Sequence, residues 1–227
     1  MDDLEAVIVK GSAVRGDFIA GYSDLDVHIY LRSKALYSPR TPLPEQAVSF
    51  QRGIGGLKPE EYGVSFFQVN FLDASDTDFL PPSGGPATFI YRKRDFGFGE
   101  IPESAYVEDA REALEDIPQN VATVLTRFVD KPDTEIWRPV RLAGAYLKAA
   151  TYNLLCLLEK DFHGPWNLPF REAAARLLKF TQGEVDVNRF LDYVENWELV
   201  RTNAEKLRQS LLVGVGCLQA IFDCSKG

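Results

Sequence analysis

The chain has little of what builds a disulfide scaffold, a membrane anchor or a nucleic-acid track. Its three cysteines, Cys156, Cys217 and Cys224, are an odd number without metal-type spacing, and two of them sit in apolar, helix-periodic sequence. Buried free thiols in a reducing cytoplasm are therefore expected. The late apolar stretch Leu211 to Phe222 is interrupted by glycines and by Gln219. It falls short of the about 20 apolar residues that span a bilayer, so no membrane association is expected. The opening Met-Asp-Asp-Leu-Glu has no basic region and runs straight into a strand pattern, which argues against a secretory leader. Positive charge is scarce as well: 25 Lys and Arg against 33 Asp and Glu give a net charge of −8. The densest basic segment is the triplet Arg92-Lys93-Arg94. Proteins that follow a nucleic-acid backbone carry a basic stripe, so a long polynucleotide is not an expected substrate. An acidic surface suits a cationic small molecule instead.

Along the chain the texture changes once. The first hundred residues hold short β-type segments separated by Gly/Pro clusters: Glu5 to Lys10, Leu25 to Leu31, Val64 to Leu72 and Thr88 to Arg92. Between them lie the loop Ser38 to Pro44 and the turn cluster Pro81 to Pro86, with a short helix expected over Pro44 to Arg52. From about Pro102, apolar residues recur at helical spacing through Tyr106, Val107, Ala110, Ala113, Leu114 and Ile117. Pro118 interrupts that run, which resumes through Val121, Val124, Leu125 and Phe128. Further helical segments cover Thr134 to Lys160, Pro169 to Thr181, Val187 to Val200 and Asn203 to Phe222. Strands first and helices afterwards predict an α+β fold. A small mixed sheet with flanking helices is expected over 1–101, and an α-helical bundle over 102–227.

The chemistry is concentrated in the 25 residues from Val7 to Leu31. A buried strand ends at Gly11-Ser12, where a short helix is expected to begin. Backbone N–H groups at such a start, with no side chain on Gly11, form a cradle for anionic oxygens. Ser12 can add a hydroxyl, and Arg15, one turn on, can bring its planar fork to the same phosphates. Gly21-Tyr22-Ser23 then turns the chain into a second strand. There Leu25, Val27, Ile29 and Leu31 take one face, and Asp24, Asp26, His28 and Tyr30 the other. Two carboxylates at i and i+2 lie roughly 7 Å apart along the backbone. That spacing lets them grip one metal ion or bridge two, and magnesium binds through one or two carboxylates plus substrate phosphates.

This segment resembles the signature of the DNA polymerase-β-like nucleotidyltransferase superfamily, in which Gly-Ser is followed by Asp-x-Asp on the next strand. Gly11-Ser12-Ala-Val-Arg15-Gly16 followed by Ser23-Asp24-Leu25-Asp26 is most similar to two branches. These are the aminoglycoside nucleotidyltransferases of the streptomycin/spectinomycin type, and the minimal nucleotidyltransferases often paired with helical HEPN proteins. The resemblance implies that Gly11, Ser12, Arg15 and Ser23 hold a triphosphate, ATP in the first instance, while Asp24 and Asp26 bind Mg²⁺. It implies transfer of AMP to a hydroxyl of a small, aminoglycoside-like acceptor with release of pyrophosphate. Two alternatives stay open: an antitoxin-type enzyme that modifies a partner protein or RNA end, and a homologue that binds nucleotide without turnover. A HEPN-type partner would accompany the first of these, and a homodimer is compatible with each reading.

One departure from that family stands out. Its members place a third carboxylate on a later strand, here Val64 to Leu72, whose polar face offers Gln68 and Asn70 instead. An amide oxygen can ligate magnesium but cannot take a proton at neutral pH, so Gln68 enters the catalytic set as a neutral ligand. Asp73 has the opposite strand parity and Glu61 precedes the strand; Glu100 is a more distant candidate base. His28 is expected to hydrogen-bond one of the acids, with Tyr30 at the far edge of their face. Elsewhere, Trp166 in the loop His163 to Asn167 is expected to pin that loop to the bundle. Trp137, Tyr146 and Tyr152 read as core, and Asp186, Asp192, Glu195 and Glu198 as a solvated helix face. No arginine precedes His163 at the spacing of a HEPN ribonuclease pair, so ribonuclease activity is not expected.

Overall fold

The computed structural model describes residues 3–76, 80, 85–97, 99 and 102–227. The fold is α+β, and the chain divides into two compact units, Met1–Ile101 and Pro102–Gly227. The first unit runs β1 (Leu4–Lys10), α1 (Ser12–Arg15), β2 (Leu25–Leu31), β3 (Leu36–Ser38), β4 (Thr41–Pro42), α2 (Pro44–Ile54), β5 (Phe67–Asp73) and β6 (Ala87–Arg92). Four of these strands make a mixed sheet in the order β5-β2-β1-β6, in which only β2 and β5 run parallel. A parallel pair needs a crossover, and the segment carrying α2 supplies it.

Strand alternation gives the sheet two faces, and both are covered. On one, Ile29 and Leu31 pack with Ala35 and Leu36, with Val27, Val69, Phe71 and Phe50 around them. Phe50 of α2 meets Phe71 edge-on, the ring centroids 5.1 Å apart. On the other, Ala6, Ile8, Tyr30, Leu72 and Phe96 form a second cluster. Tyr30, expected at the far edge of a polar face, is instead fully buried, its ring 4.9 Å from that of Phe96. The face that begins with Asp26 is thus polar at one end only.

The loop expected from Ser38 to Pro44 holds a short hairpin, β3 with β4, closed by the Ser38 hydroxyl donating to Thr41 at 2.8 Å. The expected strand from Val64 starts only at Phe67, because Ser65 and Phe66 bond the chain leading into β2.

The second unit comprises α3 (Glu103–Glu115), α4 (Ile117–Val129), α5 (Trp137–Glu159), α6 (Phe170–Phe180), α7 (Asn188–Val194), α8 (Trp197–Val200) and α9 (Ala204–Lys226). Pro118 falls in the first turn of α4, where its missing N–H costs nothing. The buried stripe of α5, Val140, Ala143, Leu147, Ala150 and Leu154, follows 3–4 spacing, as does Leu207, Leu211, Gly214, Leu218 and Ile221 on α9. Gly214 lets Phe190 of α7 approach: a Cβ there would lie 3.0 Å from its ring. The single helix expected over Val187 to Val200 is broken at Glu195-Asn196. No helix among the described residues is long and apolar enough to cross a membrane.

Two tyrosines of the first unit separate burial from chemistry. Tyr30→Ala removes a fully buried ring and should lower unfolding stability by about 3–5 kcal/mol. Tyr37→Ala, at a ring 79 % exposed, should stay within about 0.5 kcal/mol of the parent. Urea unfolding of the two variants checks the contrast.

Candidate functional site

The polar end of the sheet is built by three strands in register. Asp26 lies opposite Lys10 of β1 on one side and Gln68 of β5 on the other. One step inward the row is Ile8, His28 and Asn70, and the next is Ala6, Tyr30 and Leu72. The expected parity of β5 therefore holds: Gln68 shares the face of Asp26, and it is exposed.

Gly11 follows Lys10 with φ 73° and ψ −142°, a region essentially reserved for glycine. The Asp26 carboxylate lies against it, and a Cβ on Gly11 would stand 2.8 Å from Asp26 Oδ2. The amides of Ser12 and Ala13 open α1 and have no acceptor within that single turn, which ends at Gly16 with φ 79°. Carboxylate and amide-bearing turn thus occupy one corner of the sheet.

Asp24 precedes β2 in chain that Ser65 and Phe66, just before β5, hold on both sides. The Ser23 carbonyl accepts from the Ser65 N–H at 2.8 Å, and the Leu25 N–H donates to the Phe66 carbonyl at 3.1 Å. Ser23 is buried, and its hydroxyl oxygen accepts the Ile19 N–H at 3.0 Å; it fixes the loop that delivers the acids. Arg15 lies with its side chain buried, Nε 3.4 Å from Asp17 Oδ1. The residue expected to bring its fork to phosphates thus also stands beside a carboxylate of its own loop.

Two further groups share the face. Burial, aided by the charges of Lys10 and Arg40, pushes the His28 imidazole down to about 4, so it is neutral at pH 7. Its Nδ1 is buried without a hydrogen-bond partner, so this nitrogen makes no bond to the acids. Burial also lowers the Lys10 pKa, while the charge of Asp26 works the other way. Lys10 was open to detection from sequence, since it shares strand parity with Ala6 and Ile8; the signal was a lysine ending an otherwise apolar strand.

The remaining acids lie elsewhere. Asp73 pairs with Leu31 at the opposite end of β5, and its Oδ1 accepts from Ser33 Oγ, Ser75 N and Ser75 Oγ. Glu61 sits in an exposed turn, 3.3 Å from Lys58. Glu100, like the turn residues 81–84, lies outside the described residues. Lys93 of the basic triplet pairs with Glu5 at 3.1 Å.

In the second unit Trp166 stacks on Tyr152, centroids 4.8 Å apart, and the Tyr152 hydroxyl donates to the Leu168 carbonyl. The loop is pinned as expected. Trp137 and Tyr146 are half-buried rather than core, and Asp192 and Glu195 share Arg171. Burial raises the Cys156 and Cys217 thiols to about 12 and about 11, which leaves them protonated and unreactive.

Among the described residues no group of three or more His, Cys, Asp or Glu could hold a metal ion. Asp26, with Gln68 opposite it and Asp24 two residues before it in the chain, nevertheless offers the hard oxygen donors of magnesium, which completes its shell from phosphates and water. A zinc or other transition-metal site would require more nitrogen or sulfur ligands than this edge offers.

Gly11→Ala should cost about 1–3 kcal/mol from backbone strain alone and displace the Asp26 carboxylate besides. Gly16→Ala, where an added Cβ meets nothing within 4 Å, should cost only about 1–2 kcal/mol and leave Asp26 in place. Urea unfolding gives the two costs, and Mn²⁺ binding by the two variants tests the displacement. No protein-family model matches the chain, and comparison with curated proteins likewise gives no match.

Proposed function

We propose that the first unit is a Mg²⁺-dependent nucleotidyltransferase that moves AMP from ATP onto a hydroxyl of a small acceptor, with an aminoglycoside-like polyol as the first candidate. The observation that carries this reading is the corner at Gly11. There a glycine-only backbone lets the Asp26 carboxylate sit against the turn whose first amides have no acceptor within it. A metal-binding acid and a phosphate-binding turn within one corner are what a bound triphosphate requires.

In this reading Ser12 and Ala13 amides hold anionic oxygens of the triphosphate. Asp24 and Asp26 would hold the magnesium ion, which when bound neutralises charge on the α-phosphate and on departing pyrophosphate. The acceptor oxygen forms a bond to the α-phosphorus as the bond to the bridging oxygen breaks and pyrophosphate leaves; the hydroxyl proton passes to a base. Gln68 cannot be that base. Arg15, with Nε 3.4 Å from Asp17 Oδ1, also steadies the loop between β1 and β2.

The amide at Gln68 also favours a second reading, in which the site binds nucleotide without turnover. The two separate by product. Labelled ATP, Mg²⁺ and an aminoglycoside panel should give a nucleotidylated product and pyrophosphate under the first reading. Thermal stabilisation by ATP with no pyrophosphate under any acceptor supports the second. Label on a co-expressed protein would replace the small acceptor by a macromolecular one.

Asp24→Asn and Asp26→Asn should each lower transfer at least about a hundredfold, the loss of several kcal/mol of transition-state stabilisation, with circular dichroism unchanged. Full activity in either variant removes the metal assignment. Gln68→Glu adds a carboxylate beside Asp26 and should tighten Mn²⁺ binding; unchanged affinity would show that position 68 does not face the ion.

A further inference from the structure

Lys10 is the one basic residue in the row that holds Asp26 and Gln68. It is the direct cross-strand partner of Asp26, and strand alternation puts it on the face of Ile8 and Ala6, both fully buried beside Tyr30. Its other neighbour is Ala87 of β6, too small to carry a countercharge. Side chains paired this way stand about 4.5–5.5 Å apart at Cβ, and the charge of Asp26 acts on Lys10.

We infer that Lys10 is a fixed cation of the nucleotide site and that the site takes one divalent ion rather than two; this rests on the nucleotidyltransferase reading. Two-ion phosphoryl-transfer sites clamp both oxygens of the displacement with a pair of metals about 3.5–4 Å apart, and such a pair needs carboxylates to bridge it. Here the donors are two acids and an amide. Compared with a site bearing an acid at position 68 and no lysine, the amide removes one negative charge and Lys10 adds one positive. Together these equal the charge of a single divalent ion. One ion plus Lys10 therefore leaves the triphosphate in the same net field as two ions and three acids. A second ion beside Asp26 would meet a like charge directly across the strand.

The full-length chain is titrated with Mn²⁺ in the presence of α,β-methylene-ATP, and bound ions per chain–nucleotide complex are counted by electron paramagnetic resonance. One ion is expected; two in the wild type overturns the inference while leaving the nucleotide site standing. If the nucleotide brings no Mn²⁺ to the protein at all, the nucleotidyltransferase reading fails and the role of Lys10 falls with it. Lys10→Gln adds a second, signed readout. Removing a positive charge should tighten Mn²⁺ in the absence of nucleotide and weaken metal-free tripolyphosphate, each about tenfold. Lys10→Arg should restore both. A merely structural lysine would weaken both ligands together or neither, and that result rejects the assignment.

Discussion

A carboxylate and a backbone turn can share a corner only if nothing projects between them, and at Gly11 nothing does. The strand β1 must stop, reverse its φ and start a helical turn within two residues, while Asp26 of the neighbouring strand leans over the bend. An L-residue there meets two costs, the strained backbone and the clash with Asp26 Oδ2. The rest of the first unit serves to hold that bend: β1 is central in the sheet, flanked by β2 and β6, and the Gly11 N–H donates to the Pro86 carbonyl at 3.3 Å. The second unit has its own long-helix core, organised around α5 and α9.

Much of this was legible in the sequence because the signals were periodic. The alternation of Leu25 to Leu31 and the 3–4 spacing in the later segments fixed element type, and Pro118 marked a helix boundary through its missing donor. The parity of Gln68 was legible too, since a strand offers only two faces. What escaped were features set by tertiary partners. Tyr30 looked like a polar-face residue because parity says which face a side chain takes, not whether Phe96 will arrive to cover it. The β3–β4 hairpin was hidden in a proline-rich loop, and the break after Val194 carries neither glycine nor proline to announce it.

The site residues divide in the same way. Gly11, Asp26 and Gln68 were readable as a set because each owes its place to local backbone or strand register. Arg15 and Ser23 carry a structural part that residue type alone does not announce, since their side chains also meet Asp17 and the Ile19 amide within the loop between the strands. A residue type suited to phosphate is also suited to fastening a turn, and only geometry separates the two. Lys10 is the converse case, a residue that reads as a strand terminus until register sets it opposite Asp26.

The bonds from Ser65 and Phe66 to the chain around Asp24 are made by backbone atoms alone on the β2 side. Main-chain anchoring is indifferent to the side chains it carries. The chain around Asp24 is therefore held before position 68 is reached, and Gln68, inside β5, pairs with Asp26 through the strand ladder whatever side chain it carries. The ligand character of that edge, neutral or anionic, can drift from one sequence to another while the scaffold beneath it keeps its dimensions.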